Sequence, residues 1–460
     1  MKFTDDKKNF DLDKVEPDYS EGYSWYVVGI LMLFYALSFV DRQIIALLVE
    51  PMKADLGLSD VEMSLLGGLS FAIFYTIFGI PLGRLADSSN RRGLIAAGVV
   101  VWSLMTTLCG FASRFSHLLL LRMGVGLGEA ALSPAAFSII ADYFPSHRRA
   151  TALSIYSMGI YLGAGLAFTG GAILLGWAER TIALRGGEPL FILGNIQPWQ
   201  VVFLMVGIPG LLMTFLLATV REPSRKGLKQ SGLNREGKGG VGVPLKEVMR
   251  FLSENRKALF CHNFGIAFLS LSAYAGAFWD AAFFERIHSW APREMGIWYG
   301  ILTMAAGAAG VLTGGRLSDW LSSRGIKNAN MVTILIASIS WLPFGIAYPL
   351  MPNVSLSLTM LFPTLFTAAM PFGCAAAAIQ EMMPSRMRAQ ASALYLFIIN
   401  IIGLGIGPTA VAFFTEQVFQ DLQMVRYSLV LVAGGGHIIA VGLLWLSLGS
   451  YSETVERAEN

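Results

Sequence analysis

The sequence predicts an all-α polytopic membrane protein of twelve spanning helices, built as two related bundles of six, and three observations predict it. Of its 460 residues, 54% are hydrophobic and 14% charged, against about 25% charged in a typical soluble domain. Twelve apolar stretches approach the roughly 20 residues that one bilayer crossing requires. Two sequence motifs occur once in each half, which is the signature of a duplicated unit.

Taken in order, residues 1–23 form a polar segment of mixed charge with no apolar core or small-residue cleavage site, and read as a retained tail. The first bundle, residues 24–220, holds spans near Trp25–Val49, Val61–Pro81, Leu94–Ala112, Leu118–Tyr143, Ala150–Leu175 and Trp199–Val220. Residues 221–257, with "REPSRKGLKQSGLNREGKGG", are too hydrophilic and glycine-rich to span, and read as a linker. The second bundle, residues 258–448, repeats the count near Ala258–Phe284, Gly296–Leu317, Met331–Leu350, Ser355–Met382, Ala389–Phe414 and Tyr427–Leu448, leaving 449–460 as a second tail.

Lys and Arg decide the expected orientation. Arg84, Arg91, Arg92, Arg148, Arg149, the basic central segment, Arg316, Arg324, Lys327, Arg386 and Arg388 all fall on one side. An excess of these residues marks the cytoplasmic side, so both termini and the linker are expected there. Cys109, Cys261 and Cys374 are far apart in apolar stretches and predict neither a disulfide framework nor a metal site. No cofactor is expected, and a formal net charge of +3 argues against nucleic acid.

The repeats are specific. "GRLADSSNRRG" from Gly83 aligns without gaps on "GRLSDWLSSRG" from Gly315, after the second span of each half. "PSHRRATALSIY" from Pro145 aligns on "PSRMRAQASALY" from Pro384, between the fourth and fifth spans of each half. Twelve spans, a long central loop and a G-x-L-[AS]-D signature after spans two and eight resemble the major facilitator superfamily over nearly the whole chain. The resemblance implies the major facilitator fold and cytoplasmic gates, at Gly83, Arg84, Asp87, Arg91 and Arg92 and at Gly315, Asp319 and Arg324. The first copy carries Ser88 where Arg or Lys is usual and Asn90 where Gly is usual; Asn tolerates a left-handed turn. Within the superfamily, "FVDRQIIALL" and "RMGVGLGEAALSPAAFSIIADYFPSHRRATALSIY" resemble the Spinster family. That likeness implies export of amphipathic anionic lipids of the lysophospholipid and sphingosine 1-phosphate class.

The residues able to carry transport lie in "LRMGVGLGEAALSP" and "FVDRQ". Arg122 and Glu129 are seven apart, two helical turns, and share one stripe of the fourth span. Asp41 and Arg42 sit at similar depth in the first. An ionised group at mid-bilayer costs on the order of 3 kcal/mol and normally faces a partner or a water-filled path. A carboxylate beside an arginine changes its proton affinity when the two separate, as proton coupling requires, which selects Asp41 and Glu129. Guanidinium groups bind phosphate or carboxylate through two donors, which selects Arg42 and Arg122 for an anionic headgroup. The competing reading of all four is an ion-pair lock between helices. Gly124, Gly126 and Gly128 are expected to serve close packing. In the second half Asp280 lines a cavity or its external rim, and Tyr395 joins Phe372, Met382 and Phe397 in an aromatic, methionine-rich wall; His437 is expected to be a packing residue. The expected protein is a monomeric, proton-coupled secondary transporter in a bacterial inner membrane. The alternatives are a carrier of another small organic anion or drug-like compound, a lipid enzyme, or a non-transporting membrane protein.

Overall fold

A computed structural model describes residues 19–184, 196–223, 245–384 and 387–459. Among them are twelve helices long and apolar enough to cross a membrane, and no strand. The first six spans are Glu21–Leu47, Asp60–Ala86, Arg91–Cys109, Phe115–Tyr143, Thr151–Leu184 and Pro198–Thr219. The second six are Arg256–His288, Pro292–Ser323, Ala329–Leu350, Val354–Glu381, Leu394–Val418 and Leu422–Ala458. The end at which the first span begins and the last finishes is called the terminal end below, and the opposite one the far end.

Helix starts follow local capping chemistry. Ser20 accepts from Tyr23 N, and Ser59 with Glu62 forms a capping box ahead of the second span, satisfying N–H groups that a helix leaves open. Asn90 caps the third span by accepting from Gly93 N at 2.8 Å. Its backbone is extended (φ −70°), so the left-handed turn expected there does not form, because an N-cap needs β-region backbone. In the second copy the left-handed position is Gly325, at φ +82°.

The fourth span breaks at Ala130–Ala131, just ahead of Pro134, which places Glu129 at the end of a helical segment. Helix turns widen to π geometry at Leu65–Leu69 in the second span and Asn400–Ile406 in the eleventh, both glycine-containing. The bundles meet along three seams: fifth on eighth span, second on eleventh, and first on seventh. The internal repeat exchanges the first two of these seams, as a duplicated unit must.

Parts of the two segments read as linker and tail are helical. Leu245–Glu254 forms a helix before the seventh span, and the last helix continues to Glu459. Asn255 joins them, its Oδ1 accepting from Thr454 Oγ1 at 3.3 Å and Arg457 at 3.2 Å. Polar composition indicated solvent exposure there, and i,i+4 pairs such as Arg457–Glu453 let such a stretch stay helical.

Candidate functional site

The first and fourth spans bring all four predicted ionisable groups together. Arg42 Nη2 donates to Glu129 Oε2 at 2.7 Å, with both side chains almost fully buried. The guanidinium of Arg42 lies 4.6, 4.5 and 5.0 Å from the ring centres of Phe39, Phe71 and Tyr75, a cage suited to a cation in a low-dielectric setting. Tyr274 of the seventh span faces Arg42 from the second bundle. The cluster therefore borders the seam between the bundles.

The four groups do not play equal parts. Arg122 is wholly buried and spends its donors on backbone carbonyls: Asp41 O at 2.9 Å, Leu66 O at 3.3 Å and Arg42 O at 3.4 Å. The expected headgroup contact at Arg122 is thus replaced by a brace tying the fourth span to the first and second. Arg42 keeps its Nε without a hydrogen-bond partner. Asp41 is fully buried and neither carboxylate oxygen makes a hydrogen bond, although Thr106 and Trp102 of the third span face it. Glu129 Oε1, Thr106 Oγ1 and Trp102 Nε1 are open in the same way. Buried polar atoms are normally satisfied, so this concentration singles out the cluster as the candidate site.

The glycines explain how the wall fits. A Cβ at Gly126 would stand 2.7 Å from Phe71 O, and one at Gly128 would stand 2.7 Å from Trp102 N and 2.9 Å from Gly98 O. The fourth span lies backbone to backbone against the second and third, as small-residue packing predicts.

The second half departs from expectation. Asp280 sits between the seventh, eighth and ninth spans, accepting from Tyr348 Oη at 2.7 Å and Tyr299 Oη at 2.9 Å. Tyr395 is 7% exposed and packs on His262, ring centres 5.6 Å apart, in the core of the second bundle. Leu394, Leu396 and Phe397 are the exposed residues around it, while Tyr395 itself turns into the bundle. Met382 is also core, whereas Phe372 and Phe397 are exposed. His437 stacks on Trp341 with ring centres 3.8 Å apart, the packing role expected for it.

At the terminal end the repeated motifs brace each bundle separately. Arg91 is buried and pairs with Asp142 and with Glu222, the latter at 2.7 Å, while Arg92 donates to Val220 O at 3.1 Å. These two expected gate residues join the third, fourth and sixth spans of one bundle and do not cross to the other. The second bundle has a matching set: Ser318 donates to Asn330 at 2.8 Å, and Asn330 and Tyr451 both donate to Glu381. Asp142 and Glu381 hold the same place, three residues before the paired Pro145 and Pro384. Arg84, Asp319 and Arg324 are exposed, Arg324 lying over the Trp320 ring at 4.9 Å. Gly83 comes within van der Waals range of Pro134 in its own bundle, and Gly315 meets nothing within 4 Å. The side chain of Asp87 lies outside the described residues.

The far end supplies what the sequence reading missed. Arg286 of the seventh span donates to Glu50 Oε1 at 2.6 and 2.8 Å and to both oxygens of Asp60, at 2.7 and 2.8 Å. Lys53 pairs with Asp60 as well. Nearby, Glu416 of the eleventh span accepts from Val61 N at 3.1 Å, and Ser64 donates to Thr409 at 3.4 Å. All of these except the Lys53–Asp60 pair join the two bundles directly. The "FFERIHSW" stretch carried the signal, an arginine at the far end of its span near the acidic residues between the first two spans, but partners more than 220 residues apart share no spacing rule.

The profile of the Major Facilitator Superfamily matches residues 31–408. The chain belongs to that superfamily. It is 28% identical to an MFS-type efflux pump of Mycolicibacterium smegmatis (strain ATCC 700084 / mc(2)155) over 441 residues, covering 94% of each chain. It is 24% identical over 306 residues to a probable L-galactonate transporter of Escherichia coli (strain K12), covering 65% of this chain and 62% of that one. Its fold superposes, with a TM-score of 0.72, on the crystal structure of a bacterial homologue of the human lysosomal transporter Spinster in an inward-facing, unoccupied conformation. That match is 27% identical and covers 96% of this chain and 98% of the other. The protein is thus a multi-pass membrane transporter, similar to Spinster.

Proposed function

We propose that this transporter moves an amphipathic anionic lipid, of the lysophospholipid or sphingosine 1-phosphate class, by proton-coupled alternating access. The observation that carries the reading is the Arg42–Glu129 pair beside the unbonded Asp41 carboxylate. An anionic headgroup competes with Glu129 for Arg42, whose Nε is unused; displaced from its cation, Glu129 takes a proton. Asp41, buried opposite Thr106 and Trp102 and in no ion pair, is the second acceptor. Arg122 holds the backbone beneath both in register. The exposed aromatic residues Phe372 and Phe397 suit an apolar tail.

In this reading the terminal end is cytoplasmic in a bacterial inner membrane, the protein works as a monomer, and the structure represents an inward-open state. Support for that state comes from the cross-bundle bonds of Arg286, Glu416 and Ser64 at the far end and the exposed Arg84, Asp319 and Arg324 at the other. The terminal-end motifs, Asp87 and Asp319 included, then meet across the bundles when the far end opens.

The test is uptake of labelled lysophospholipid and sphingosine 1-phosphate into proteoliposomes under an imposed pH gradient. Wild type is expected to accumulate lipid with the gradient, and Glu129→Gln to retain exchange but lose gradient-driven accumulation. Full accumulation by the variant overturns the role given to Glu129. A second reading, a small organic acid as substrate, is favoured by the similarity to the probable L-galactonate transporter; competition by galactonate but not by lysolipid would select it.

A further inference from the structure

The first and seventh spans share a motif beyond the two already described. "YALSFVD", Tyr35 to Asp41, aligns on "YAGAFWD", Tyr274 to Asp280, with Tyr, Ala, Phe and Asp identical. The separation equals that of Pro145 and Pro384, so the match lies in the register of the duplication. Asp280 is therefore the repeat counterpart of Asp41. Like Asp41 it is buried, and like Asp41 it faces the third member of its own bundle, here through Tyr348 at the end of the ninth span.

We propose that Asp280 is a third proton-carrying site, acting in the second bundle as Asp41 acts in the first. This rests on the proton-coupled reading above and extends it to a residue outside the Arg42–Glu129 cluster. The titratable groups facing Asp280 are the phenols of Tyr299, from the eighth span, and Tyr348. Among the described residues, the first, tenth, eleventh and twelfth spans bring it no charged side chain. Arg286, on its own helix, is engaged by Glu50 and Asp60. A carboxylate buried with no cation is costly in its charged form, and here two hydroxyl donors are all that offset the cost.

The surroundings can accommodate both states. Ionised, Asp280 accepts from both phenols, as observed. When a proton from the aqueous phase adds to Oδ2, that oxygen donates to Tyr299 Oη, whose own hydrogen must turn to another acceptor. Thr303 supplies it: it lies four residues, about one turn, along the eighth span, faces Tyr299, and its buried Oγ1 is in no hydrogen bond of good geometry. One proton is gained and no bond is left unpaired.

The site also reports to the seam between bundles. The ring of Phe168, from the fifth span, meets Tyr299 edge-on at 4.5 Å. Beside it a Cβ on Gly300 would stand 2.5 Å from Gly165 O, so the fifth and eighth spans have no slack there. A change in the donor direction of Tyr299 is felt where the two bundles touch.

The test is pH-difference infrared spectroscopy of the purified full-length protein. Wild type is expected to show a protonated-carboxyl carbonyl band at acidic pH that Asp280→Asn lacks. Tyr348→Phe, the milder variant, is expected to keep that band and move it to higher frequency, since its carbonyl loses a hydrogen-bond donor. An Asp280→Asn spectrum identical to wild type overturns the proposal. If that variant does not fold, Tyr348→Phe decides: a carboxyl region unchanged from wild type overturns it equally. Absence of gradient-driven lipid uptake by wild type would instead sink the proposed function, and it leaves the infrared result standing as a separate fact about Asp280.

Discussion

Replacing Arg286 by Gln should open the far end. Arg286 is 5% exposed and gives four hydrogen bonds, two to Glu50 and two to Asp60, whose own side chain is fully buried. Removing one partner of a buried, hydrogen-bonded ion pair costs about 3–5 kcal/mol, because the remaining charge is left uncompensated. Lys53 still pairs with Asp60, and Glu50 is a quarter exposed, so the low end of that range, about 3 kcal/mol, applies. At about 1.4 kcal/mol per tenfold change, this shifts the balance between far-end-closed and far-end-open states by roughly 150-fold. A wild type held about 99:1 closed would become close to evenly divided. Spin labels at Leu184→Cys and Ser355→Cys, exposed positions at the far end of each bundle, report this as a second, longer distance population. A single distribution superimposable on that of wild type would refute the clamp reasoning.

Three further outcomes follow from the same geometry. Arg122→Lys keeps the charge but cannot reach three carbonyls at once, and should cost about 3 kcal/mol of stability, read as a lowered thermal unfolding midpoint in detergent. Gly128→Val places a side chain against Trp102 N and Gly98 O and should cost about 3 kcal/mol or abolish folding, whereas Gly29→Ala, where a Cβ meets nothing within 4 Å, should leave the midpoint unchanged or raised. Arg42→Lys loses the planar two-donor fork and the ring contacts, and lysophospholipid affinity measured by calorimetry should fall at least about tenfold, roughly 1.4 kcal/mol.

Much of the molecule is legible from residue order. Span number, the six-plus-six division and the duplication depend on hydropathy and local motifs, which lie along the chain. So does the joint placement of Asp41, Arg42, Arg122 and Glu129, because depth in a membrane can be counted in residues from a helix end. The glycines of the fourth span declared their packing role in the same way. The internal match of Tyr35–Asp41 to Tyr274–Asp280 was equally present in the sequence.

Partner choice was not legible. Nothing in the spacing says that Arg42, and not Arg122, takes Glu129, or that Arg122 turns to carbonyls of Asp41, Arg42 and Leu66. That depends on how two helices rotate against each other, where about 100° per residue separates a cavity-facing side chain from a brace. Arg91 and Arg92 looked like parts of a gate, and the fold turned them inward to hold one bundle. Tyr395 looked like wall and became core. The sequence by itself determined which residues are ionisable at membrane depth and that two bundles carry them. Only the tertiary structure decided which charge answers which, and that Arg286 joins Glu50 and Asp60 across the bundles, because such pairings depend on three-dimensional approach between segments the chain keeps far apart.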